Sequence, residues 1–324
     1  MNQSKNYYIP RKDKYILLIN DNQSVYKVFG KIQQNSKNLI YVGTKRGDND
    51  SKLKSDEKPE FVLKLFKIDE DQRVEDFMRE KSILDLFQGF TEIIHYEVPI
   101  NLDFQNNEFI LIPMKFYKYN DLATYLYFNL AFKFSDDFIK EVSYTILNIL
   151  KLLKNRFIVH NDIKFENFLL SSINPLELIL TDFETSEMIS KEKSTLFGGT
   201  DVFSAPEFLR QEPHDFASDI WSFGVNLYFA FSKEYPFQIK ATDNREAILK
   251  KIETKKLVRP LKVSNEAWEL ISKILVIDPS RRITVEDALY LKWFKNMEYK
   301  QKQANNSCGS NIANTNFTNE ITDY

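Results

Sequence analysis

The apolar residues of this chain change period along its length, and that change restricts the fold more than any other feature. Up to Met114 they come in short runs: Val25 to Ile32, Leu39 to Thr44, Phe61 to Phe66 and Phe109 to Met114. Runs of this length between polar segments predict strands. Gln33 to Asn38 joins the first two, and the polar stretch Gly47 to Glu60, with Asp48-Asn49-Asp50-Ser51, reads as an extended hairpin loop. One helix interrupts them: Asp69 to Gln88 puts Phe77, Leu84 and Phe87 on a single stripe that also carries Glu80. From Ser135 onward Phe138, Val142, Ile146, Ile149 and Leu153 recur at helical intervals, with Ser135 or Asp136 as the cap. Strands first and helices later imply an α+β chain, with a small sheet-rich lobe, a larger helical lobe and a hinge near Lys115 to Tyr119.

Composition narrows the setting. The 324 residues suffice for one or two sizeable cores. With 44 basic against 46 acidic residues there is no basic excess to suggest a nucleic-acid partner. Cys308 is the only cysteine, so no intramolecular disulfide forms and a reducing compartment is expected. No apolar stretch reaches the ~20 residues of a membrane helix. Met1 to Lys5 lacks a signal-peptide core, and Asn2 stands where N-myristoylation needs glycine. The expectation is a soluble, monomeric, cytoplasmic protein without a membrane partner, with the nucleus left open. Residues 1–24 read as an N-terminal extension with a candidate strand at Tyr15 to Ile19. Residues 297–324, rich in Asn, Ser, Thr and Gln beyond Tyr299, read as a disordered tail.

The chemistry is concentrated in two segments. In His160-Asn161-Asp162-Ile163-Lys164-Phe165-Glu166-Asn167 an Asp, a Lys and an Asn stand at a spacing that phosphoryl transfer from ATP uses. Asp182, in Thr181-Asp182-Phe183, follows the apolar run Leu176 to Leu180. Together they resemble the H-R-D-x-K-x-x-N and D-F-G segments of the protein kinase family, and the resemblance extends from about Val25 to Phe294. It implies a bilobal kinase domain over 25–296, with the small lobe at about 25–115 and the large lobe at about 118–296. It also implies an enzyme that moves the γ-phosphoryl of ATP, with Mg²⁺, to a protein Ser or Thr hydroxyl.

By that resemblance Asp162 is the base, Lys164 steadies the transferring phosphoryl, and Asn167 and Asp182 hold Mg²⁺. Lys64 matches the lysine of V-A-I-K, which grips the phosphates and pairs with a helix glutamate, here Glu80. Lys45 is a rival lysine, without an inward-facing Glu at a suitable distance. Ile32, Ile40, Val62 and Leu169 would wall the adenine, with Met114 as gatekeeper. Each of these apolar residues also fits a plain core position.

Further segments carry the resemblance into the large lobe. Gly199-Thr200-Asp201-Val202-Phe203-Ser204-Ala205-Pro206-Glu207 resembles G-T-x-x-Y-x-A-P-E, and Lys164 with Thr200 is the Ser/Thr-branch combination, the Thr hydroxyl bridging the Asp and the Lys. Asp219 to Gly224 resembles D-x-W-S-x-G, whose Asp accepts backbone N–H groups of the catalytic loop. Asp278 to Thr284 resembles D-P-x-x-R-x-T, placing Arg282 against Glu207. The chain departs from the pattern in three places. The glycine positions of the nucleotide loop are Gln33, Asn35 and Asn38, and although Asn tolerates positive φ, weaker nucleotide binding is expected. The register Leu18 to Val25 is also glycine-free and fits worse. Asn161 replaces the Arg that receives an activation-loop phosphate, arguing against a switch through Ser190, Ser194 or Thr195. Glu184 replaces the glycine of D-F-G. These departures motivate the alternative of a pseudokinase scaffold. A small-molecule phosphotransferase shares the H-x-D-x-x-x-x-N element but is disfavoured by Ala205-Pro206-Glu207 and Asp219 to Gly224.

Overall fold

A computed structural model describes residues 8–10, 16–19, 25–34, 38–46, 59–68, 71–104, 107–128, 136–189 and 193–297. The first third is strand-rich: β1 (Tyr8–Pro10), β2 (Ile16–Ile19), β3 (Val25–Gln34), β4 (Asn38–Arg46), β5 (Phe61–Ile68), β6 (Ile100–Phe104) and β7 (Asn107–Lys115), of which β3, β4, β5 and β7 follow the four apolar runs, β2 falls on the candidate strand, and β1 and β6 were not expected. They form one antiparallel sheet in the order β1-β2-β3-β4-β5-β7-β6. The described parts of 1–24 thus add two strands at one edge. The loop proper at 35–37, the polar stretch 47–58, Ser135, Ser190 and the tail beyond Met297 lie outside the described residues.

Successive side chains of a strand face opposite sides, and β5 uses both. Leu63 joins Tyr26, Ile100 and Leu111 in a small cluster on one face. Lys64 alternates with it, its backbone paired with Ile40 of β4 and Ile112 of β7, while Val62 pairs with Met114. This second face is covered by α1 (Asp71–Asp85), whose Phe77 ring lies 5.9 Å from that of Phe66. Phe77, Leu84 and Phe87 are buried as their stripe predicts, and Glu80 is buried with them. The helix ends at Asp85, with residues 86–89 in turns, so the predicted span ran past its C-terminus.

The rest is mainly helical: α2 (Leu122–Phe128), α3 (Asp136–Lys154), α4 (Pro206–Leu209), α5 (Phe216–Ser232), α6 (Arg245–Thr254), α7 (Asn265–Ile274) and α8 (Val285–Leu289). Two small ribbons pair β8 (Ile158–Val159) with β11 (Glu187–Met188) and β9 (Phe168–Ile173) with β10 (Leu176–Leu180). The predicted bilobal α+β architecture is therefore the one observed. In α3 the buried stripe runs from Ile139 to Leu153, with Asp136 and Asp137 at the N-terminus and Lys151 and Lys154 at the C-terminus, each favourable to the helix dipole. Helix α5 is buried continuously from Ser218 to Tyr228, as expected of a helix apolar on most sides. Asp215 caps it by accepting the Ala217 N–H at 3.0 Å. Gly224 lets α7 approach, since a Cβ there would lie 2.2 Å from Ile274 Cγ2. This central helix is the frame on which the site is built. Among the described residues no helix is long and apolar enough to cross a membrane.

Candidate active site

Two polar residues of α5, seven positions apart and so on one face, hold the loop that follows β8. Asp219 accepts the His160 N–H at 2.8 Å and the Asn161 N–H at 2.9 Å. Asn226 accepts the Phe165 N–H at 3.0 Å and donates to Ile163 O at 3.2 Å. Burial pushes the Asp219 carboxyl up to about 7, against the two N–H donors, which favour the charged form. The Asp219 contacts are those expected from the sequence. Asn226 was not anticipated; its only signal is an amide within the largely apolar stretch Phe223 to Phe231.

The loop gathers Asp162, Lys164 and Asn167. Asp162 Oδ2 accepts from Lys164 Nζ at 2.6 Å and from Asn167 Nδ2 at 3.2 Å, and Asn167 Nδ2 also donates to Asp162 O at 2.8 Å. Lys164 Nζ donates to Thr200 Oγ1 at 2.9 Å. Asp162 Oδ1 is met by the Thr200 backbone N–H at 3.0 Å. The bridge through Thr200 thus differs in detail from the expected one: its hydroxyl serves Lys164, and its amide serves Asp162. Gly199 makes the approach possible, at φ +96 and with a built Cβ only 2.6 Å from Asn161 O.

Across the cleft, the Lys64 ammonium lies 3.2 Å from both Glu80 oxygens, 2.6 Å from Glu184 Oε1 and 3.8 Å from Asp182 Oδ1. Burial alone would lower the Lys64 pKa, but the three carboxylates outweigh it and hold it well above the ordinary lysine value. Burial raises the Glu80 and Asp182 carboxyls, opposed in both by Lys64. Asp182 reaches this place because Thr181 N donates to Asn167 O at 2.9 Å, which ties the two segments together. Its backbone is left-handed, φ 65, a conformation that Asp tolerates better than most residues. The rival Lys45 instead pairs with Glu97 at 2.7 Å on the surface.

Of the expected adenine walls, Ile40, Val62 and Leu169 are half-buried and Met114 is buried. Ile40, Val62 and Met114 share the Lys64 side of the sheet through their pairings, and Leu169 sits in β9, bridged to Asp121. Ile32 lies in β3, but its side chain is outside the described set.

Asn161, at φ 67, donates through Nδ2 to Thr185 O at 3.0 Å, while its Oδ1 lies 2.8 Å from His214 Nε2. Where the family pattern has a cation, this chain has a neutral amide enclosed by an imidazole whose pKa burial lowers. Ser194 is buried and hydrogen-bonded to Glu187. The His214 contact, 53 residues away in sequence, could not be read from the motif.

His160 is fully buried, with Nε2 3.2 Å from Thr181 O and Nδ1 accepting the Asp162 N–H at 3.4 Å. One donor and one acceptor satisfy the neutral ring, and burial pulls its pKa down from 6.5 to about 4. Between those values only the unfolded chain takes up a proton, so this contribution to stability is present above 6.5 and fades as pH falls. Asp219 acts in the opposite sense, since its raised carboxyl favours the folded state below about 7. The histidine's share is therefore read by comparison with a variant. Going from pH 7 to pH 5, the wild type should lose about 2 kcal/mol relative to His160→Phe in urea melts. Parallel curves would contradict a buried neutral imidazole.

Compared with known proteins, residues 47–294 match the family described as protein kinase domain. The chain belongs to the protein kinase family. It is 32% identical over 174 residues to mouse ribosomal protein S6 kinase alpha-2, covering 51% of this chain and 24% of that protein. It is 29% identical over 250 residues to the serine/threonine-protein kinase AtPK2/AtPK19 of Arabidopsis thaliana, covering 75% and 50%. An Aurora kinase of Encephalitozoon cuniculi is 34% identical over 153 residues, 46% and 55% of the two chains. The chain thus spans about a quarter to about half of the length of these relatives. The strands assigned to the glycine-free loop precede the matched segment.

Proposed function

We propose that the protein is an active serine/threonine kinase that transfers the γ-phosphoryl of ATP to a protein hydroxyl. The observation that carries this reading is the convergence of Lys64, Glu80, Asp182, Asn167 and Asp162 from four separate elements on one cleft. A chain released from catalysis has no reason to keep all five together. In this reading Asp162 orients the acceptor hydroxyl and takes its proton. Lys164, held between Asp162 and Thr200, balances charge on the moving phosphoryl. Lys64, steadied by Glu80, grips the nucleotide phosphates, and Ile40, Val62, Met114 and Leu169 provide the apolar wall for the base. A cavity of about 540 Å³, lined by Phe165, Glu166 and Tyr235 among others, adjoins the catalytic loop and offers room for an acceptor peptide.

The donors fit Mg²⁺. Asn167 commits its amide nitrogen to Asp162, which turns the carbonyl oxygen the other way, and Asp182 adds a carboxylate: hard oxygen ligands, one of them charged. Among the described residues no three His, Cys, Asp or Glu side chains gather as a metal cage. This agrees with an ion that takes part of its coordination from phosphates. Asn167 and Asp182 would hold it, and its charge would offset that of the triphosphate.

A second reading, a scaffold that does not transfer phosphate, draws on one observation: the Glu184 carboxylate already engages Lys64. Thermal melting with Mg-ATP tests nucleotide binding. A ligand at about 100 times its dissociation constant stabilises by ~2.7 kcal/mol, so millimolar Mg-ATP should raise the midpoint of the wild type and not that of Lys64→Met. No rise in the wild type would remove the nucleotide from the proposal.

A further inference from the structure

We propose that Glu184 sets the strength of nucleotide binding by competing with phosphate oxygens for the Lys64 ammonium. The inference rests on the nucleotide site proposed above and adds a residue to it. Of the three carboxylates around Lys64 Nζ, Glu184 is the closest, at 2.6 Å, with Glu80 at 3.2 Å and Asp182 at 3.8 Å. An ammonium has three N–H donors. Glu80 engages Nζ with both oxygens, Glu184 engages it from the cleft, and the Phe66 ring covers a further side at 4.8 Å. A phosphate oxygen approaching Lys64 therefore meets a donor already in use and a negative charge beside it.

The backbone around Glu184 is fixed from two directions. Arg79 of α1 donates to Glu184 O at 3.0 Å, and Asn161 Nδ2 donates to Thr185 O at 3.0 Å. With the main chain held, the carboxylate yields its place to a phosphate through side-chain rotation. Its side chain is a quarter exposed, whereas those of Lys64 and Glu80 are almost fully enclosed. The Lys64–Glu80 pair is thus the fixed part of the arrangement, and Glu184 is the movable one. Two departures from the family pattern act together here: Glu184 reaches Lys64 from a segment that Asn161 helps to hold.

The contest concerns phosphate and leaves the nucleoside untouched, which provides the test. Binding of Mg-ATP and of adenosine is measured by calorimetry for the wild type, Glu184→Gln and Glu184→Gly, each first checked for an unchanged melting midpoint without nucleotide. A charge-assisted hydrogen bond removed from the competing side should tighten Mg-ATP by roughly tenfold in both variants. Adenosine affinity should stay within twofold of the wild type. Gln keeps the size of Glu, so it separates loss of charge from gain of backbone freedom at Gly. Equal tightening of ATP and adenosine would mean a reshaped pocket and would overturn the proposal. An unchanged Mg-ATP affinity in Glu184→Gln would overturn it while leaving the nucleotide site intact. A weaker one, the sign expected if the carboxylate helped hold the ion, would do the same. Absence of ATP and adenosine binding in all three proteins would instead overturn the nucleotide site itself, and this proposal with it.

Discussion

Asp162→Asn is expected to lower phosphoryl transfer by about 10²–10⁴ while leaving Mg-ATP affinity within a few-fold of the wild type. The substitution keeps the shape of the side chain and changes what it can accept. Oδ1 would still meet the Thr200 N–H, which lies at 3.0 Å. The other position, however, now faces the Lys164 ammonium at 2.6 Å and the Asn167 amide nitrogen at 3.2 Å, both donors. An NH₂ group there has no acceptor to meet, and the hydroxyl proton has nowhere to go. None of the described contacts of Asp162 involves Lys64, so binding and turnover should separate. Initial rates with a Ser/Thr peptide, read beside the calorimetric affinity, provide the check. A variant that retains more than a tenth of the wild-type rate would remove Asp162 from the role of base.

The largest expected loss of stability is at Glu207→Ala, about 3–5 kcal/mol. Arg282 and Glu207 are both buried, joined in parallel by NH1–Oε1 at 2.6 Å and NH2–Oε2 at 3.0 Å. The guanidinium also donates to Val276 O at 3.1 Å and Ala217 O at 2.7 Å and lies 5.0 Å from the Trp221 ring. One side chain thereby ties α4, α5 and the segment after α7 to a common point. Removing the carboxylate leaves a buried cation with carbonyls for company and no counter-charge. A pair of apolar replacements at both positions should recover part of the loss, because the uncompensated charge then disappears. Urea melts of Glu207→Ala and of the double variant Glu207→Leu, Arg282→Leu measure both effects. If the double variant were less stable than the single one, the argument from the unpaired charge would fail.

These joints were legible in the sequence because they rest on side-chain chemistry at fixed spacing. Asp219 beneath the loop that follows β8, Arg282 on Glu207 and Lys64 on Glu80 each bring charged or polar groups together in the interior. The short elements were harder to read. Helix α2, Leu-Ala-Thr-Tyr-Leu-Tyr-Phe, has the aromatic composition of a strand. Its signal is Asp121, which accepts the Thr124 N–H at 2.7 Å as a cap. Strand β6 pairs with β7 at an edge of the described sheet and carries Asn101 and Asp103, so no apolar run marks it. The sequence disclosed Glu184 as an added charge, but its position on Lys64 depends on how α1 and the Asp182 segment meet. The same holds for His214 against Asn161, where the fold supplies a partner that spacing along the chain does not suggest.

The most direct measurement is label transfer from [γ-³²P]ATP, with magnesium, to a mixed protein substrate, by the chain prepared without prior phosphorylation. With Asn161 enclosed by His214 in place of a phosphate-binding arginine, label should appear on Ser and Thr without an activating modification, and acid hydrolysis should return phosphoserine and phosphothreonine. A protein that binds Mg-ATP yet transfers no label would contradict catalysis and leave the scaffold.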